Sequence, residues 1–180
     1  MTTVIFDLDG TLIDSDAALV APFIALGLTE DEITFGHPIE EFCAALGISV
    51  ERYVELYDTA IVQPYPGVEA MLDQLGNWSV CSNKHPNSGH AELDRLGWTP
   101  QVALFSDSFG GGPKQLGPVM AQLEVEPSEV LFVGDTAHDR QCAADAGVSF
   151  AWAGWNPRTQ AGSPQGTVLS VPGDLLALVS

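Results

Sequence analysis

Positive charge is scarce in this sequence. Lysine and arginine together number 6 against 24 aspartates and glutamates, giving a formal net charge of −18 and an isoelectric point near 4.1. That balance argues against a nucleic-acid or anionic-membrane partner, because phosphate backbones and acidic lipid surfaces are held by clustered cations. Only Lys84 and Lys114 are lysines, so the place of each carries information. The 3 cysteines, Cys43, Cys81 and Cys142, share no CxxC spacing and sit in apolar surroundings, which disfavours a zinc site and suits reduced core residues. The longest apolar stretch, AALVAPFIALGL, contains Pro22 and is too short to cross a bilayer. The first strand begins by about Thr2, ahead of any room for an export leader. The expectation is a cytoplasmic protein, monomer or homodimer.

The chain has 180 residues and 46% apolar content, enough for one core with a small insertion. Short β-branched and aromatic runs recur: TVIF (3–6), WSVC (78–81), VALF (102–105) and VLFV (130–133), with the weaker VSFAW and TVLSV after them. Helical patterns alternate with them, namely VEAMLDQLG, HPNSGHAELDRLG, GPVMAQLEV and AHDRQCAADAG. Alternation of this kind predicts an α/β, Rossmann-like, mainly parallel sheet with helices on both faces. Residues 16–63 break it. They offer helices near 16–26, 38–46 and 50–62, a capping-box spacing at Thr29–Glu32, and Pro38 at a first helical turn. The stiff QPYPG join at 63–67 closes the segment. We therefore expect a core of 1–15 and 64–180 carrying an all-helical insertion, 16–63, after the first strand. The Gly/Pro/Ser-rich stretch 153–166 reads as a surface loop.

In TTVIFDLDGTLIDS the first apolar run ends in two acids, Asp7 and Asp9. Ligands of parallel sheets bind outside the carboxyl ends of the strands, which is where Asp7 falls. Side-chain alternation brings Asp9, two residues on, to the same side. Ser82, Asn83 and Lys84 follow the second run, Lys114 comes a short loop after the third, and Gly134 to Asp139 follow the fourth. Two carboxylates about 4 Å apart repel by about 4 kcal/mol at an effective dielectric near ~20, and Asp135 and Asp139 add to that. A divalent cation relieves it. Oxygen donors without a matching His or Cys cluster favour Mg²⁺, which takes carboxylates, waters and a substrate phosphate.

FDLDGTLIDS, CSNK, GGPK and GDTAHD, in that order, resemble the four motifs of the haloacid-dehalogenase-like hydrolases, and the SNK form of the second resembles the phosphoglycolate-phosphatase-like branch. The resemblance implies a phosphatase acting on a small phosphorylated metabolite through an aspartyl-phosphate. Asp7 would be the nucleophile and Asp9 the general acid and then base. Ser82 would hold a phosphoryl oxygen and Lys114 would neutralise the transferring group, with Thr11, Asn83, Lys84 and His37 as further substrate contacts. Asp7, Asp9 (through its carbonyl), Asp135 and Asp139 would hold Mg²⁺ or its waters. The 16–63 insertion would be the cap that selects the substrate. Lys114 is preceded by proline where the family often has proline after the lysine, and Lys84 is a second candidate for its role.

Plainer readings stand beside these. Ser82 and Asn83 suit the cap of a helix starting near Pro86, and Asp135 and Asp139 suit an acidic first helical turn. Tyr53 and Tyr57 suit packing, and Arg95, Arg140 and Arg158 suit surface charge. A sugar phosphomutase shares the aspartyl-phosphate, and a non-catalytic binding module shares the fold. Dehalogenation fits less well, since that branch lacks the second acid.

Overall fold

The computed structural model describes residues 2–179. Its main sheet has the order β5-β4-β1-β6-β7-β8, every pairing parallel. The strands are β1 (Thr3–Phe6), β4 (Ser79–Cys81), β5 (Ala103–Leu104), β6 (Val130–Gly134), β7 (Ser149–Ala153) and β8 (Thr167–Leu169). From β1 the chain builds outward through β4 and β5, then returns to the other side of β1 for β6 to β8. This reversal at β1 opens a crevice at the carboxyl edge, where such sheets take their ligands.

Burial follows the pleat. Val4 and Phe6 face one core with Val80 and Val133, while Ile5 faces a second with Cys81 and Phe132. Helices α4 (Val68–Leu75), α5 (Pro86–Leu96) and α9 (Asp174–Val179) contribute Met71, Leu93 and Leu175 to the first core. Helices α6 (Leu116–Leu123) and α7 (Ala137–Ala146) contribute Val119 and Ala143 to the second. The sheet is thus covered on both faces, as the near-continuous apolar runs require. All three cysteines are free and buried.

The segment after β1 behaves differently. Strand β2 (Ile13–Asp14) pairs antiparallel with β3 (Gln63–Pro64), so the chain leaves and re-enters the core at one place. Between them lie α1 (Asp16–Ala25), α2 (Ile39–Ala45) and α3 (Val50–Leu56). The third helix is shorter than its expected 50–62 span. It ends at Tyr57, whose extended backbone turns the chain, and Asp58 starts a separate 3-10 turn at Thr59–Ile61. Thr29 and Glu32 form the expected capping box around a 3-10 turn, and Pro38 immediately precedes α2.

Two local readings need correction. The helix after β4 is capped by His85, whose ring accepts from Asn87 N–H, with Pro86 in the first turn; Ser82 and Asn83 do not cap it. The 153–166 stretch is more than a surface loop. It contains α8 (Pro157–Ala161), and it buries Asn156 and Thr159 against the first and fourth motifs. Its glycines and proline mark turns, but its polar side chains hold the site.

Helix α5 lies close enough to the sheet that a Cβ built on Gly89 would sit 2.3 Å from the Phe105 ring. Gly89→Ala should therefore destabilise the fold by about 1–3 kcal/mol through overpacking, although alanine is the better helix former by about 1 kcal/mol. A lowered urea midpoint is expected, and an unchanged or raised one would contradict this packing.

Candidate active site

The loop after β1 turns tightly, with Leu8 C=O accepting from Leu12 and Ile13 N–H and Gly10 at φ +75°. Glycine is needed there twice over: for the left-handed backbone, and because a Cβ would meet Asp135 Oδ2 at 2.4 Å. Asp7 is tied to β6 by donating its N–H to Val133 C=O at 2.9 Å. Trp155 Nε1 donates to Thr11 C=O and Asn156 Nδ2 to Gly10 C=O, both at 2.8 Å, so the loop after β7 braces the turn.

Asp7, Asp135 and Asp139 are all buried, with one carboxylate oxygen from each lying within 4.8 Å of the others. Lys114 Nζ reaches Asp7 Oδ1 at 2.7 Å and Asp139 Oδ1 at 2.5 Å. The order Pro113-Lys114 therefore does not prevent the lysine from reaching the strand end. Asp139 Oδ2 accepts from the N–H of Asp135 and from the N–H and hydroxyl of Thr136. Asp139 thus closes the capping box of Thr136 in the first turn of α7 while its other oxygen faces the cluster, so the plain reading does not exclude the functional one.

Asp9 points to the other lysine. Lys84 Nζ lies 2.7 Å from Asp9 Oδ1, 3.1 Å from Glu92 Oε2, and 2.7 Å from the Tyr57 hydroxyl, and it sits over the Tyr57 ring. The Tyr57 hydroxyl donates to Glu92 Oε1 at 2.6 Å. Ser82 is buried and its hydroxyl accepts from Lys84 N–H at 3.3 Å. Asn83 links both units: its amide donates to Gly36 C=O at 2.8 Å, its Oδ1 accepts from Lys114 N–H at 2.7 Å, and its own carbonyl accepts from Ile39 N–H. Thr11 donates to Asp135 Oδ1 at 3.1 Å. His37 stacks on Phe42, meets His138 edge-on, and shares a 2.8 Å hydrogen bond with Thr34.

Sequence reasoning missed Glu92 and assigned Arg158 to the surface. Arg158 instead bonds Asp16 at 2.8 and 3.1 Å, reaches Asp135 Oδ2 at 3.0 Å, and stacks at 4.0 Å on the ring of Phe35. Arg95 also has a structural partner, the carbonyl of Val62 beside β3. Arg140 is exposed as expected, and Arg52 is also exposed, paired with Glu55 on α3. The scarcity of cations was the available signal: with six in the chain, each arginine warranted a search for an acid.

Electrostatics follow from burial and neighbours. Burial pushes Asp7 up to about 7, against the pull of Lys114 and with Asp139 and Asp9 adding to the rise. Burial likewise raises Asp135, with Asp139 and Asp7 reinforcing it. Asp139 is lowered: its burial is outweighed by Lys114 and by the Thr136 hydrogen bonds. Burial carries Glu92 up to about 7 despite Lys84. Lys114 is held charged, since Asp139 and Asp7 more than offset its desolvation. Three buried carboxylates sharing one lysine and one edge of Arg158 are under-neutralised, and an oxygen-only donor set fits a hard divalent cation.

With these four motifs converging on one crevice, the comparison with known proteins is decisive. The haloacid dehalogenase-like hydrolase family model matches residues 4–153. The chain belongs to that family. It is 31% identical to a phosphoglycolate phosphatase of Aquifex aeolicus over 99% of this chain and 97% of that one. It is also 31% identical to a phosphoglycolate phosphatase of Synechococcus elongatus, over 100% and 98%. A hydrolase from Pseudomonas syringae shares the fold at a TM-score of 0.79 and 20% identity, covering 99% of this hydrolase and 97% of that one.

The proton linkage can be tested without substrate. In the metal-free protein Asp7 and Glu92 titrate near 7 when folded, above their unfolded values, so their ionisation opposes folding at high pH and this penalty fades as pH falls through 7. Asp139 acts oppositely: its stabilisation is present above its ordinary value of 3.8 and is lost below it. Tm should rise from about pH 8 to about pH 5 and fall at stronger acidity. Asp7→Asn should remove part of that rise. A divalent cation held by Asp7 would compete with its proton, so added Mg²⁺ should raise Tm more at about pH 8 than at about pH 6; an equal shift at both contradicts the linkage.

Proposed function

We propose that this hydrolase is a Mg²⁺-dependent phosphatase that cleaves a small phosphomonoester through a phosphorylated Asp7, with 1–15 and 64–180 as the catalytic core and 16–63 as its cap. The observation that carries this reading is the buried carboxylate of Asp7 facing Lys114 at 2.7 Å, with Asp135 and Asp139 beside it. The 31% identity to two phosphoglycolate phosphatases over nearly the whole chain supports it.

The Asp7 carboxylate attacks phosphorus as the bond to the ester oxygen breaks, and Asp9 gives that oxygen its proton. Asp9 then takes a proton from a water that attacks the same phosphorus, breaking the bond to Asp7 and freeing phosphate. Lys84 holds Asp9 by one oxygen at 2.7 Å, which keeps the acid aimed into the crevice. Lys114 neutralises charge beside Asp7, and the Ser82 hydroxyl would hold a phosphoryl oxygen. Thr11 and Asn83 act through others, Thr11 by orienting Asp135 and Asn83 by seating Lys114 and the cap. His37 lines the cavity from the cap side. Asp7, Asp135 and the carbonyl of Asp9 would hold Mg²⁺, with Asp139 anchoring its waters, and the bound ion would supply positive charge for the phosphoryl oxygens.

Asp7→Asn should lower release of phosphate from an aryl phosphate by more than about a thousandfold while the far-ultraviolet spectrum stays folded. EDTA should abolish turnover and Mg²⁺ restore it. Turnover retained by Asp7→Asn, or indifferent to EDTA, overturns the reading.

A further inference from the structure

We propose that the group esterified to the phosphate is uncharged and apolar, and that the site selects against a carboxylate there; the inference rests on the phosphatase reading. A cavity of about 70 Å³ separates the cap from the carboxyl edge of the sheet. Leu19, Phe23, Ile33, Phe35, Phe42 and Tyr53 contribute apolar lining to it. The three cations that border it are already matched. Lys114 lies between Asp7 and Asp139, Lys84 between Asp9 and Glu92, and Arg158 between Asp16 and Asp135.

Each of these cations therefore already has two acid partners, of which Asp7 and Asp9 line the cavity itself. A phosphate dianion arriving with one divalent ion leaves that balance unchanged. A second anionic group on the substrate makes it worse, because every lysine and arginine lining the cavity is already paired with acids. The polar cap side chains offer little in compensation: Tyr53 donates to Leu19 C=O, Tyr57 to Glu92, and Thr34 is bonded to His37. An aliphatic or small aromatic alcohol instead buries its surface against the leucine, isoleucine and phenylalanines.

The similarity to phosphoglycolate phosphatases makes this a sharp disagreement, because phosphoglycolate carries a carboxylate where the apolar wall would lie. The test compares 2-phosphoglycolate with isobutyl phosphate, in which an isopropyl group replaces the carboxylate at the same shape, by phosphate release at fixed free Mg²⁺. Isobutyl phosphate should have the higher kcat/KM by at least about tenfold, even though glycolate is the better leaving group. Glu92→Gln and Asp16→Asn each remove one matching acid and should narrow that ratio, which is read within one variant and so does not depend on how much of it folds. Equal or faster turnover of 2-phosphoglycolate by the unaltered protein overturns the inference and leaves the phosphatase reading standing. If neither ester releases phosphate, selection is read from calorimetry alone, and the phosphatase reading fails only if the aryl phosphate is left intact as well. Isobutylphosphonate should then bind more tightly than phosphonoacetate, and equal or reversed affinity overturns the inference.

Discussion

The Lys114 ammonium, buried between Asp7 and Asp139, is the contact on which the site's geometry depends. It joins the end of β1, the loop preceding α6 and the first turn of α7, three segments that the sheet order brings to one edge. Without it, three carboxylates would lie within 4.8 Å of one another with Arg158 as their sole remaining cation. Desolvation of a charge costs several kcal/mol per ion, and it is tolerated only where partners are well placed. The backbone supplies much of that placement. Asn83 fixes the Lys114 N–H, and the Thr136 N–H and hydroxyl fix the far oxygen of Asp139.

The same economy ties the helical segment to the core. Asn83 bonds Gly36 and Ile39 on one side and Lys114 on the other, so the chain that follows β4 reads both units. Tyr57 reaches across to Lys84 and Glu92, Glu40 accepts from Ser106 at 2.5 Å, and Arg158 stacks on Phe35. Each of these cross-contacts ends on a residue that also touches the acids or lies close by. Displacement of 16–63 would therefore loosen Lys84 and Arg158 together, which couples access to the crevice with the electrostatics inside it.

Strand ends and motif acids were legible because the chemistry is compressed into a few residues after an apolar run. Asp7, Asp135 and Lys114 could be read from position alone. Glu92 could not. It lies inside a helix whose composition is otherwise polar, and nothing local distinguishes a solvated glutamate from one that is 0% exposed. Its small neighbours Ser88 and Gly89, one turn earlier on the same buried face, were the faint sign that α5 approaches the sheet closely. Arg158 was hidden by its setting, since a loop rich in glycine and proline suggests solvent. The contacts that give it meaning come from residues 16, 35 and 135, distant in sequence and assembled only by the fold.

The chain's acidity and its proposed chemistry pull against each other, and distance resolves the conflict. A net charge of −18 repels any phosphate ester approaching from bulk water. At physiological ionic strength that repulsion is screened beyond about 8 Å, so it slows the approach more than it opposes the bound state. Inside the cavity the balance is set by neighbours at contact distance, where Lys84, Lys114 and Arg158 each face two acids. On the proposed reading, a phosphoryl group would enter such a site together with a divalent cation. On that reading, recognition of the remainder of the substrate would fall to the apolar lining contributed by residues 19 to 53.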